Sequence, residues 1–163
     1  MKQARLQKPT HYTTIAISDP HFGKKSARAD LLLEFLDSVT CNTLIINGDF
    51  FDGWKLDSKD QWQLSEMQMR VLDRINAMGA AGTKIHYIAG NHDEKLRAYW
   101  DRKEQKVKKK AGPNRFKIIE KSPLHFKHND QFIEINIADS VELHDSNNGI
   151  HLFTHGDEIE PWH

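Results

Sequence analysis

Covalent staples and membrane anchors are scarce in this sequence. The single cysteine, Cys41, excludes an internal disulfide. A lone thiol ahead of an apolar segment reads as a small core residue. No apolar run approaches the roughly 20 residues that a membrane-spanning helix needs. The first fourteen residues alternate charged and polar side chains without an apolar centre. A cytoplasmic location is therefore expected. An excess of one charge is also missing: Lys plus Arg number 23 and Asp plus Glu number 23, so no whole-chain field draws the protein to nucleic acid. Repeats, low-complexity segments and linkers are absent too. The 163 residues, 38% of them apolar, suit one domain over 1–163 with a modest core.

What is present is a set of short apolar, β-rich segments at residues 13–18, 43–47, 84–89 and 150–154. Their continuous apolar character suits strands buried on both faces. Between the first two, Leu32, Phe35, Leu36 and Val39 recur at helical spacing, and between the next two so do Leu64, Met67, Val71, Leu72, Ile75 and Met78, with Gly79 placed to end that helix. Strands alternating with helices predict an α/β fold that begins with a parallel sheet. A charged, helical stretch is expected over 94–110, and the apolar residues Phe132, Ile133, Ile135, Ile137, Val141 and Leu143 predict hairpins before the strand at 150.

Each of the four apolar segments runs directly into chemistry-bearing side chains: Asp19-Pro20-His21, Gly48-Asp49-Phe50-Phe51-Asp52, Gly90-Asn91-His92-Asp93 and His155-Gly156-Asp157. Taken singly, any of them reads as a turn after a strand. Four in succession read differently, because the carboxyl ends of parallel strands share one edge of a sheet and would bring the clusters to one crevice. Carboxylates, imidazoles and one amide, without thiolates, suit Mn²⁺, Mg²⁺ or Zn²⁺. Trp54, just beyond Asp52, reads equally as a core aromatic or as a ring that stacks on substrate. The basic run at 103–110 reads first as a solvated helix face.

In this order, Asp-x-His, Gly-Asp-x-x-Asp, Gly-Asn-His-Asp and His-Gly-Asp resemble the signature of the calcineurin-like metallophosphoesterases, from Ile15 to Asp157. The longer strings Gly48 to Trp54, Gly90 to Glu94 and His155 to Glu158 resemble the UDP-2,3-diacylglucosamine pyrophosphatase-like branch, although His92 stands where that branch's best-known members carry Arg. The resemblance implies a β-sandwich flanked by helices. It also implies hydrolysis of a phosphodiester or pyrophosphate by two divalent ions, Mn²⁺ first, with Zn²⁺, Fe²⁺ or Mg²⁺ as substitutes. Asp19 and His21 would bind one ion, Asp49 would bridge, and Asn91 and His155 would bind the other. His92 would face the phosphoryl group with Asp93 orienting its ring, Asp52 and Asp157 would orient ligands, and Trp54 would line the substrate site.

A small phosphoester or a nucleotide-sugar lipid of the lipid A pathway is the implied substrate. Peripheral contact with the inner membrane face would go through the basic run. The superfamily pattern closes with a Gly-His-x-His element, and the sequence ends at Pro161-Trp162-His163 without it. The chain is therefore expected to correspond to the N-terminal two-thirds of such a domain, with an incomplete second sheet and a tendency to self-associate. Two other readings stay open, a nucleotide or nucleic-acid phosphodiesterase of the same fold, against which the neutral charge counts, and a catalytically incomplete metal-binding fragment.

Overall fold

The computed structural model describes residues 8–53, 64–93, 121–128, 131–147 and 149–156, and of 121–128 and 131–134 the backbone alone. Three strands, β1 (Thr10–Ile17), β2 (Val39–Asn47) and β3 (Lys84–Ile88), alternate with two helices, α1 (Ala29–Ser38) and α2 (Glu66–Ala80). They are followed by β4 (Lys121–His128), β5 (Gln131–Ala138), β6 (Val141–His144) and β7 (Ile150–Phe153). The main sheet runs β1-β2-β3-β5-β4, with β1, β2, β3 and β5 parallel and only β4 antiparallel to its neighbour. The α/β expectation is met. Among the described residues no helix is long and apolar enough to cross a membrane.

Strands added in one direction by right-handed crossovers place both connecting helices on the same face of the sheet. Leu33 and Leu36 of α1 and Val71, Ile75 and Met78 of α2 accordingly share one core with Leu44, Ile46, Ile85 and Tyr87. That arrangement leaves the opposite sheet face to be covered by something else. Here the β6–β7 hairpin does it, closing a second, smaller core of Ile45, Ile88, Ala138 and Val141 with Leu143 and Phe153 against it. Leu44, Ile45 and Ile46 are all buried, so β2 is covered on both faces, as its unbroken apolar sequence predicts. The outer side of the hairpin keeps Ile150 and Leu152 exposed.

Three sequence expectations are corrected. The buried side of α1 is Ala29, Leu33 and Leu36, whereas Phe35 is exposed and Val39 is already the first residue of β2. The second helix does not stop at Gly79. It continues to Ala80, and the left-handed residue after it is Gly82, at φ 101°. Segment 150–154 is not part of the parallel sheet but pairs antiparallel with β6. The start of α2 needs no correction from its sequence: the Ser65 hydroxyl accepts the Gln68 N–H, and the Gln68 side chain accepts the Ser65 N–H, a reciprocal cap. The charged stretch 94–110, including the basic run, lies outside the described residues.

Candidate metal centre

The loops that leave β1, β2 and β3 are laced together by backbone hydrogen bonds. Asp19, His21 and Phe22 donate N–H to the carbonyls of Gly48, Asp49 and Phe50 at 3.2, 3.0 and 2.8 Å. Asp52 donates back to Phe22 at 2.8 Å, Gly48 to Ile88 at 2.8 Å and Gly53 to His92 at 3.0 Å. Phe22 and Phe50, both fully buried with ring centroids 4.7 Å apart, plug the space beneath these loops. The loops are thus fixed to the sheet edge rather than draped over it.

On this frame three non-glycine residues take left-handed backbone: Asp19 at φ 55°, His21 at φ 48° and Asp49 at φ 49°. Among the described residues they are the only non-glycine ones that do, and all three are candidate ligands. Such a conformation costs an L-residue about 1–2 kcal/mol and persists where surrounding bonds over-determine it. Its effect is to turn these three side chains toward one point.

At that point Asp49 Oδ2 lies 3.8 Å from His21 Nε2 and 3.6 Å from His155 Nε2. Asp19 Oδ1 faces the same two nitrogens, at 3.9 and 3.7 Å. Ligand atoms about 2.1 Å from a tetrahedral ion are about 3.4 Å apart, so two carboxylate oxygens and two imidazole nitrogens form a slightly open cage of the right size and donor chemistry for a divalent cation. Asp19, His21 and Asp49 satisfy the geometry of a three-donor cation site on their own. Asp19, expected on one ion only, faces both imidazoles. The other oxygen of Asp49 accepts the His92 N–H at 2.9 Å, which locks the carboxylate's rotation. Asn91 stands half-buried on the same turn, between Gly90 and His92.

Two glycines make this crowding feasible. A Cβ on Gly48, which also has φ 78°, would enter the His155 ring, and a Cβ on Gly90 would run into the Asp49 carboxylate and stand 2.8 Å from His155 Cε1.

A second set of donors meets behind His21. Asp52 Oδ2 is 3.6 Å from His21 Nδ1, and Asp52 Oδ1 is 3.4 Å from His92 Nδ1. The two rings meet edge to face with centroids 4.7 Å apart. Asp52 therefore stands where a carboxylate can hold both rings. Asp93, for which the task of orienting His92 was expected, uses both oxygens on backbone: Oδ1 accepts the Phe51 N–H at 3.0 Å, and Oδ2 accepts those of Phe50 and Gly90 at 3.2 Å each. It ties the β2 loop to the β3 loop. Trp54 and Asp157 lie outside the described residues.

Burial raises the Asp93 carboxyl above the ordinary 3.8, outweighing the backbone N–H groups and the Tyr87 hydroxyl that favour its ionised form. Asn in its place offers one acceptor instead of two, leaving an amide donor facing a backbone donor. Asp93→Asn is expected to lower stability by about 2 kcal/mol in urea unfolding. The raised value sets the sign: the wild type's advantage over the variant is largest below pH 3.8 and shrinks as pH rises through the folded-state value. An equal advantage across that range would contradict the assignment.

One residue here gives no signal in the sequence. The Lys24 ammonium lies 2.6 Å from Asp52 Oδ2 and 3.4 Å from His21 Nδ1. A lysine three positions beyond His21, in a loop, reads as a surface residue. Lys24, Asp19 and His21 also wall a cleft of about 580 Å³ with Ile17, Arg28 and Leu32.

A mixed α/β domain with a candidate cation cage at the carboxyl edge of its parallel strands is the class that this geometry defines. The family model for calcineurin-like phosphoesterases matches residues 12–162, and the chain belongs to that family. The UDP-2,3-diacylglucosamine hydrolase of Hahella chejuensis (strain KCTC 2396) is 37% identical over 83 residues, which cover 49% of this chain and 32% of that protein. The matched stretch thus spans about a third of the relative's length. No solved structure matches the chain.

Proposed function

We propose that this domain is a divalent-metal-dependent phosphoesterase that cleaves a phosphodiester or pyrophosphate bond, with a UDP-sugar lipid pyrophosphate as its first candidate substrate. The observation that carries the reading is the cage of Asp19, His21, Asp49 and His155 at the end of the parallel strands, three of them in left-handed backbone. The substrate rests on the name of the Hahella relative, over the part of that protein that aligns.

In this reading Asp19, His21, Asp49, Asn91 and His155 would hold two ions, Mn²⁺ first. Their chemistry is to polarise the phosphoryl oxygens and to acidify water. The chain's own groups do the rest. Asp49 keeps its Oδ2 toward the cage because Oδ1 is tied to the His92 N–H. Asp52 Oδ1 faces His92 Nδ1 at 3.4 Å, which would favour the tautomer with its proton on Nδ1 and leave Nε2 to meet the phosphoryl group or the leaving oxygen. The cleft beside Asp19 and His21 offers an apolar floor of Ile17 and Leu32 with Arg28 at its side. Trp54 would extend the substrate site, and the basic run at 103–110 would serve a peripheral contact with an anionic membrane where a lipid substrate resides.

The test is hydrolysis of bis-p-nitrophenyl phosphate by the purified chain, stripped with chelator and then supplied with Mn²⁺. Turnover that appears only with the metal is expected, and UDP-2,3-diacylglucosamine follows as substrate. Turnover indifferent to chelator, or none with any of Mn²⁺, Zn²⁺, Fe²⁺ and Mg²⁺, overturns the reading.

A further inference from the structure

His21 is shared by two donor sets. Its Nε2 belongs to the cage with Asp19 and Asp49, and its Nδ1 belongs to a second set with Asp52 and His92 whose ligand atoms also lie within 4.8 Å of one another. By geometry alone, the second set could hold a cation as well. A neutral imidazole has one lone pair, on one nitrogen, with the proton on the other. An ion taken on Nδ1 would therefore remove His21 from the cage.

We propose that the Lys24 ammonium is a built-in cation of the centre, occupying the place among Asp52, His21 Nδ1 and His92 Nδ1 that a divalent ion would otherwise take, and so confining metal to the Nε2 side of His21. This rests on the metal-centre reading above. The ammonium sits 2.6 Å from Asp52 Oδ2 and 3.4 Å from His21 Nδ1, against two of the three members of the second set. Asp52 is 2% exposed, and a carboxylate at that depth needs a counter-charge. The ammonium supplies that charge at Asp52 Oδ2 without binding a ring nitrogen's lone pair as a metal ion would. Asp52 Oδ2 also faces His21 Nδ1 at 3.6 Å, which favours the tautomer with its proton on Nδ1 and leaves Nε2 free to coordinate.

The lysine's place is built from both sides. Its N–H donates to the His21 carbonyl at 3.2 Å, and its carbonyl accepts the Ala27 N–H at 3.3 Å. The same carbonyl accepts Nε2 of Gln68 at 3.3 Å. Gln68 is 4% exposed and is fixed by the reciprocal cap at the start of α2.

The experiment is Zn²⁺ binding by calorimetry, not turnover. It compares the wild type, Asp49→Asn, and Asp49→Asn with Lys24→Met, each checked for native near-UV circular dichroism. Asp49→Asn disables the Nε2 side and should weaken Zn²⁺ binding. Adding Lys24→Met is expected to restore affinity by about tenfold or more, a gain that disappears when Asp52→Asn is added and that Lys24→Arg does not produce. Lys24→Gln repeats the comparison should the methionine variant not fold. Equal Zn²⁺ affinity with and without Lys24 in the Asp49→Asn background overturns the proposal. Wild-type affinity in Asp49→Asn itself would instead sink the metal centre, so the two failures are distinguishable.

Discussion

Asp49→Asn is expected to abolish metal-dependent hydrolysis, lowering kcat/KM for bis-p-nitrophenyl phosphate by at least about 10³-fold. The figure follows from position. Losing a residue that only orients a ligand typically costs about 10- to 100-fold. Asp49 Oδ2 is itself a cage oxygen, within 3.8 Å of both His21 Nε2 and His155 Nε2, and should cost more. Asparagine keeps the volume and can keep an oxygen on the His92 N–H, so the loops should stay laced and the variant should unfold near the wild-type midpoint. What it loses is the negative charge at Oδ2, where its amide group presents N–H donors to an incoming cation. Turnover within tenfold of the wild type at saturating Mn²⁺ would falsify the placement of Asp49 at the heart of the site.

Much of this centre is legible in the sequence because each cluster follows a β-rich apolar segment, and the end of a strand is a reliable place to aim a side chain. Asp19, His21, Asp49 and His155 meet although the fourth segment is not in the parallel sheet at all. It arrives from β7, whose pairing with β6 lays the hairpin over Ile45 and Ile88 and brings its end to the same edge. The helix phase of α1 was ambiguous for a physical reason: Leu31, Leu32, Leu33, Phe35 and Leu36 crowd one short stretch, and more than one helical stripe can be drawn through them. Only packing against the sheet selects Leu33 over Phe35. The roles of Asp52 and Asp93 could not be told apart by spacing, since each lies one to three residues from another acid or imidazole. Backbone donors decide it: three N–H groups converge on Asp93 and take its oxygens, leaving Asp52 beside the two rings. Lys24 was illegible because nothing in a sequence distinguishes an ammonium folded inward from one in water.

Gly90→Ala should be nearly as damaging as loss of Asp49, although it removes no functional group. A Cβ there would stand 2.6 Å from the Asp49 N and 2.8 Å from His155 Cε1, and would meet the Asp49 carboxylate itself. Real Cβ atoms do not tolerate such approaches, and the nearest neighbours include backbone that is held by the laced loops, so the carboxylate and the ring must move. A shift of about 1 Å in a site of this kind can cost about 100-fold in rate, and disturbed ligand orientation typically costs about 10- to 100-fold in metal affinity, so Mn²⁺ affinity is expected to fall toward the upper end of that range. The matched control is Gly82→Ala. Gly82 has φ 101° with nothing within 4 Å of an added Cβ, so alanine there suffers backbone strain of about 1 kcal/mol without touching the centre. Chemical denaturation and Mn²⁺ titration of both variants separate the effects. The expected result is a modest stability loss with intact metal binding for Gly82→Ala, and collapse of metal binding for Gly90→Ala. Intact binding in Gly90→Ala would mean that Asp49 and His155 approach each other less closely than the cage requires, and parallel losses in both variants would reduce the effect to general destabilisation.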